Sequence, residues 1–518
     1  MENPVTMRKI PIPFLKKIPR QYIFCFFSTL LWGLIAHGMA LFNKYAIYED
    51  VSQLFGVGAT YQSGRWMLDI LHRLEVFFLG GSYSLPLING LATIIYISLI
   101  ACMIANLLSV KKILPSISLG GILVTTPVLT GTFGYMFTAP HYAFGLMLGV
   151  CGVVLICKKR KWYTCLVGVL LIACAVGIYQ ATIATVLFLL LTWFIHQTYT
   201  EKWNIGKCLL RICYLLVTFL AALLFYFAIN KLYLRLNNGV LTSYQGIDTA
   251  GKLPLVTYIK RAILAYKLFL LPDQSVSAFM YRNGMIWIYR IAQLLAIGLS
   301  IVLLVKSGKE KLLKSITLLL AMVLLPLALN FIYVMCESEQ VHSLMVYNHV
   351  MLFVYLLWLS GTLLSNLRRS KSCCVTICLV VILLSGLYVR YDNICYMKAE
   401  FVQEQTINYY NTLITRIKST TGYRDEMAVN FINFNDQEDA TLTVNSGFDS
   451  VNIIPYYDTE DMVNSFANRS FIRYWCGFNP VYDYTDYSGD PYVQEMPCYP
   501  DDGSIAIIND TVIVKFTP

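Results

Sequence analysis

Long apolar runs, separated by short polar or basic segments, fill most of residues 21–389. A helix needs about 20 apolar residues to cross a bilayer. Runs that suit one crossing lie at 21–42, 85–108, 115–134, 139–157, 208–230, 285–305, 316–334, 344–364 and 374–389. The run 163–196 is too long for one crossing at about 1.5 Å of rise per residue. It is read as two helices, broken near Gly177, Tyr179 and Gln180. The pattern predicts a mainly α, polytopic membrane bundle of about eleven spans.

The basic clusters test this parse. They sit in a starting arm (Arg8, Lys9, Lys16, Lys17, Arg20) and in segments 109–114, 158–162, 197–207, 306–315 and 366–372. Each follows every second crossing, and Lys and Arg concentrate on the cytoplasmic side. The N-terminus is therefore expected in the cytoplasm. The loops 43–84, 231–284 and 335–343 and the tail are expected on the outer side. The starting arm leads into a run longer than the apolar stretch of a signal peptide, which reads as a first span.

The pattern changes after the last run. Residues 1–394 read as the membrane domain, and residues 395–518 as a small extracytoplasmic α/β domain. Residues 396–418 have helical character, and 427–434 alternate as a strand does. Two short apolar runs, 504–508 and 511–516, flank Asn509 and Asp510 as in a hairpin. Tyr and Asp are dense over 456–499. That mixture suits sugar contact, through ring faces and carboxylates, and suits an ordinary loop-rich surface as well. Cys476 and Cys498 are candidates for a disulfide if the tail meets an oxidising compartment.

Composition agrees with the class. The chain is 57% hydrophobic and 14% charged with a mean hydropathy of +0.59, against roughly 25% charged for a soluble domain. The net charge of +10 is unevenly spread: residues 395–518 carry 18 Asp/Glu and only 7 Lys/Arg. The basic excess belongs to topology and gives no reason to expect nucleic acid. No nucleotide fingerprint and no nucleophile elbow is present. The six His show no metal-ligand spacing. A divalent metal is compatible with adjacent acids but is not indicated, and no other cofactor is implied.

Candidate chemistry gathers in the first outer loop, at 48–75. Glu49 and Asp50 stand where the chain has just left the membrane, and a carboxylate there can act as general base on a sugar hydroxyl. From Arg65 onward the loop reads as an amphipathic helix. Arg65, Asp69, His72 and Arg73 fall on one face and Met67, Ile70, Leu71 and Leu74 on another. Such a helix suits the membrane interface and presents Arg65, a forked donor set, to a lipid phosphate. Lys260, Arg261 and Lys267, with Arg282 beyond, form a second basic interfacial stretch suited to an anionic head group. Trp66, Asp69, His141, Tyr142, Tyr179, Gln180, His342 and His349 are candidate lining for a sugar pocket. His37, mid-span, reads as structural. Almost no charge falls inside the predicted spans, whereas ion-coupled transport usually needs it there.

These residues resemble the GtrII-type bacterial membrane glucosyltransferases, and more broadly the GT-C class of glycosyltransferases. The likeness rests on Tyr48, Glu49 and Asp50 after the first span and on Gly64, Arg65 and Trp66 in the same loop. It extends to Thr138 to Tyr142 opening a span, to Gly177 to Gln180 at an outer turn, and to the closing stretch from Gly503 to Lys515. The resemblance implies transfer of a hexose, usually glucose, from a polyprenyl-phosphate donor to a surface glycan such as O-antigen. The reaction would occur at the outer face of the bacterial cytoplasmic membrane. The resemblance further implies a separate synthase that makes the donor and a flippase that delivers it. Carried over, Glu49 or Asp50 is the catalytic acid, and Arg65 contacts the donor phosphate. Which acid serves stays open, as does the stereochemical outcome. An O-antigen-type polymerase or ligase, using the basic residues of 231–284, is the alternative; a lipid-linked glycan flippase or transporter is a further one.

Overall fold

The computed structural model describes residues 18–159, 161–243, 253–272, 284–308, 311–337, 341–364, 370–434, 448 and 467–517. The chain opens with α1 (Arg20–Phe42), then a loop carrying a 3-10 turn (Tyr48–Val51) and the short helix α2 (Trp66–Leu79). Next come α3 (Pro86–Leu107), α4 (Ile113–Val124), α5 (Pro127–Phe133), α6 (Ala139–Val154), α7 (Trp162–Ile178) and α8 (Thr182–Thr200). The break between α7 and α8 falls at Tyr179 and Gln180, where the run was read as two.

Among the described residues, nine helices are long and apolar enough to cross a membrane, or ten if a bent pair counts as one span. That pair is α4 and α5, which meet at 46°. Thr126 is extended and Pro127 opens α5, because proline disfavours a helical residue before it. α7, at 17 residues, is a shorter apolar helix. The protein is a multi-pass membrane bundle. Its outer helices expose Leu210, Val217, Leu224 and Trp287, an apolar surface that hydrocarbon covers and water would not. Inside, helices meet at small residues: a Cβ on Gly152 would lie 2.6 Å from the Gly168 carbonyl oxygen, so α6 and α7 touch at backbone.

Three helix limits differ from the sequence reading. α9 (Ile205–Leu236) runs 32 residues, about 48 Å, past the expected end at 230. Lys231 and Arg235 are good helix formers and continue it beyond the apolar stretch. After α10 (Leu255–Leu270) and α11 (Met285–Gly308), the expected span 316–334 is found shifted toward the N-terminus, with α12 (Leu312–Val323) and α13 (Leu325–Leu329) together long and apolar enough for one crossing, Pro326 opening α13, and α14 (Ile332–Met335) standing beyond it. α15 (Met351–Leu364) is followed by α16 (Ser370–Ser419), 50 residues and about 75 Å long. The expected boundary at 395 thus falls within one helix.

Beyond α16 stand three strands, β1 (Ala428–Ile432), β2 (Ile505–Ile508) and β3 (Thr511–Lys515), with helices α17 (Asn468–Trp475) and α18 (Pro491–Glu495) between β1 and β2. The sheet order is β1-β3-β2: β1 runs parallel to β3, and β2 and β3 form an antiparallel hairpin. Asn509 and Asp510 make its turn with φ of 47° and 64°, as a two-residue hairpin loop of the primed type requires. Cys476 and Cys498 are both free thiols, which corrects the disulfide considered for them.

The end of α16 and the sheet share a core: Tyr410, Leu413 and Ile417 pack with Val429, Phe431, Val512 and Val514. Ala46 and Val51 of the first loop belong to that same core. Gln403 of α16 accepts a hydrogen bond from the Ala46 backbone N–H at 2.6 Å, and the rings of Tyr45 and Tyr396 stack. The first loop is therefore held between the bundle and the tail.

Candidate functional site

Glu49 and Asp50 occupy one 3-10 turn, and with about three residues per turn their side chains leave on different faces. Asp50 points into the protein. Lys44 pairs with it, Ser84 Oγ donates to its Oδ1 at 2.5 Å, and the Phe137 N–H donates at 3.0 Å. Lys44 also donates to Ser84 at 2.7 Å. Burial pushes the Asp50 carboxyl above the usual range, and Lys44, Ser84 and the Phe137 N–H pull it back. These bonds tie together the first loop, the segment before α3 and the α5–α6 turn. Asp50 is therefore a structural anchor.

Glu49 faces the other way, into a polar chamber of about 180 Å³. Gln53, Arg65, Tyr135, Tyr142 and His342 also line it. Burial raises the Glu49 carboxyl above its ordinary value, and the Arg65 charge opposes that.

Arg65 is buried just ahead of α2 and turned inward, not displayed on an interfacial face. Gly64, at φ 77°, makes the turn that sends it there. The Gly64 carbonyl accepts from Tyr226 at 3.1 Å and the Ser63 carbonyl from Gln180 at 2.9 Å. The guanidinium donates to the Tyr142 hydroxyl at 3.0 Å and lies 5.3 Å from the Tyr179 ring centre. Tyr142 and Tyr179 stack at 4.2 Å, forming the platform beneath it.

On its other side Arg65 borders a second cavity, of about 290 Å³, between α7, α8, α9, α10 and α14. Its walls are chiefly apolar: Val176, Ile183, Leu223, Phe227, Phe331 and Met335. Arg65 is common to both spaces.

Of the pocket candidates, Tyr142, Tyr179, Gln180 and His342 meet here, around Arg65, the expected phosphate contact. The others are occupied elsewhere. Trp66 packs on Gly177. Asp69 accepts from Arg73 at 2.6 Å and Tyr233 at 2.7 Å, fastening α2 to α9. His141 bonds Glu75 at 2.9 Å, and His349 packs on Phe269 and Tyr289. His37 bonds Tyr396 and the Val124 carbonyl, a structural role.

The basic stretch of α10 does not converge on the chamber. Lys260 and Lys267 are exposed, and Arg261 pairs with Glu337 at 3.3 Å. Arg282 lies outside the described residues. Gln53 and Tyr226 were not singled out from sequence, whereas Tyr135 stood with His141 and Tyr142 in a polar cluster at an expected outer end. Tyr226 sits in an apolar run with nothing local to mark it. Asp392, buried in α16 and accepting from Thr130 at 2.7 Å, is an acid inside the bundle where few charges were expected. Among the described residues no three His, Cys, Asp or Glu are grouped to hold a metal ion.

A sequence model of the family described as glucosyl transferase GtrII matches residues 38–353. The match covers more than half of the chain and every residue lining the two cavities. No curated protein and no solved structure shows a match.

Proposed function

The chain belongs to the glucosyl transferase GtrII family, and from that premise we propose that this membrane glycosyltransferase moves a hexose, glucose by preference, from a polyprenyl-phosphate donor to a surface glycan. The observation that carries the reading is Arg65 on the boundary between an apolar cavity and an acid-bearing chamber. A polyprenyl-phosphate sugar has the same three parts in the same order. Its chain suits the apolar cavity, its phosphate suits the guanidinium, and its hexose suits the chamber. Glu49 then faces the anomeric carbon.

In the step we envisage, Glu49 takes the proton of an acceptor hydroxyl. The hydroxyl oxygen bonds to the anomeric carbon as the carbon–oxygen bond to phosphate breaks. Polyprenyl phosphate leaves with the electron pair and one more negative charge, beside Arg65. Written as a single displacement, the transfer inverts the anomeric configuration.

Counting α7 and the bent pair as crossings makes eleven spans. The N-terminus would then face the cytoplasm, and the first loop and the tail would lie outside with the glycan acceptor. A membrane unit 1–394 and a tail unit 395–518 fit that layout, joined by α16. A donor synthase and a flippase would serve the enzyme.

The test is reconstitution of the full chain in vesicles with polyprenyl-phosphate glucose and a lipid-linked surface glycan. Polyprenyl phosphate should appear in step with glucosylated glycan. Transfer from a soluble nucleotide sugar, with none from the lipid donor, would sink the reading.

A further inference from the structure

One residue of the chamber has no part in the transfer as written. His342 lies in the loop ahead of α15, is only 8% exposed, and lines the chamber with Glu49, Arg65 and Tyr142. Its Nδ1 is buried and makes no hydrogen bond among the described residues. An unsatisfied buried polar atom costs about 1–3 kcal/mol, and such an atom in a native structure calls for an explanation. Nδ1 is closed to water as the ring stands, so in the wall of a substrate chamber the explanation is a ring that turns as substrate enters and completes the bond with it.

The surroundings decide which group would complete it. Burial, and then the Arg65 charge, push the imidazole down to about 3, so it is neutral at physiological pH. A neutral imidazole offers one N–H donor and one lone pair. A phosphate offers only acceptors, and Arg65 already faces it. A hydroxyl both donates and accepts, so it pairs with Nδ1 in either tautomer, whereas a phosphate pairs only when Nδ1 carries the proton.

Resting on the donor reading above, we propose that His342 hydrogen-bonds a hydroxyl of the donor hexose and so distinguishes the sugar-bearing lipid from bare polyprenyl phosphate. The donor would be recognised in two parts, the lipid phosphate by Arg65 and the apolar cavity, and the sugar by His342. A site built to bond a hydroxyl discriminates strongly against a ligand without it, because its own polar group is then left unpaired. His342 would then also make the enzyme sensitive to the loss of one particular hydroxyl.

The full chain in nanodiscs can be titrated separately with polyprenyl-phosphate glucose and with polyprenyl phosphate. The wild type should bind the glucosyl lipid more tightly. His342→Ala should reduce that preference by about tenfold, the worth of one such bond, and leave polyprenyl phosphate affinity within about twofold. His342→Gln, whose amide keeps a donor and an acceptor, should retain most of the preference. A His342→Ala protein with the wild-type preference overturns the inference. So does loss of both lipids by both variants, since His342 would then act on the fold. A wild type that binds the two lipids equally overturns it while sparing the role of Arg65. A wild type that binds neither overturns the donor reading itself.

Discussion

At the residue scale, Glu49 and Asp50 are neighbours in sequence and opposites in environment. Asp50→Ala removes the partner of Lys44 and the acceptor of two further bonds. Breaking a buried pair from one side costs about 3 kcal/mol, so the expected result is a lower unfolding temperature in detergent. The sequence could not separate the two acids, because the difference lies in Ser84 and the Phe137 N–H, which only the fold brings near. The pH dependence follows from Glu49. In the proposed role of base it would work ionised, and burial raises its pKa. Transfer should therefore fall with falling pH, beginning above the range of an exposed glutamate, about 4.3. A rate that stays flat down to that range in initial-velocity measurements would contradict the role of Glu49. Gly64→Ala should also lower transfer, since its φ of 77° costs an L side chain about 1–2 kcal/mol and the turn directs Arg65 inward.

At the element scale, most helices were legible because length and apolarity alone define a crossing. α16 was not, because Arg390, Asp392 and Asn393 interrupt its apolar pattern. Thr130 donates to one oxygen of Asp392, whose other oxygen is buried without a partner among the described residues, and Asn393 donates to the Ile35 and Ala36 carbonyls of α1. The helix therefore passes through without unfolding and carries on into the tail. This makes the tail a clamp on the first loop. Leu413→Ala, in the core shared with Ala46 and Val51, should cost about 2–5 kcal/mol and lower transfer by loosening the turn that holds Glu49. Unfolding and turnover measured on the same preparation check both. Gly177→Ala would put a Cβ 2.6 Å from the Trp66 ring. The expected outcome is a shifted α2 start and weaker binding of polyprenyl phosphate at Arg65.

At the scale of the whole molecule, the strong signals were hydropathy and charge alternation, and the class followed from them. The chamber was only half legible. Arg65, Tyr142, Tyr179, Gln180 and His342 stood at predicted outer ends, yet so did Trp66, Asp69, His141 and His349, which the fold uses for packing. Polar residues at helix ends look alike in sequence whether they face substrate or a neighbouring helix. Topology can be checked by labelling: a cysteine placed at Tyr484, exposed in the tail, should react with a membrane-impermeant thiol reagent applied outside the cell, against a background lacking the native exposed cysteines. The central claim is that Glu49 is the base and Arg65 the link between lipid and sugar. It is tested most directly by turnover and donor binding of Glu49→Gln, side by side, in purified full-length protein. The account expects transfer to drop by about two to four orders of magnitude while affinity for polyprenyl phosphate stays within about threefold of wild type, since Glu49 does not hold the phosphate. A Glu49→Gln protein that transfers at the wild-type rate would contradict it.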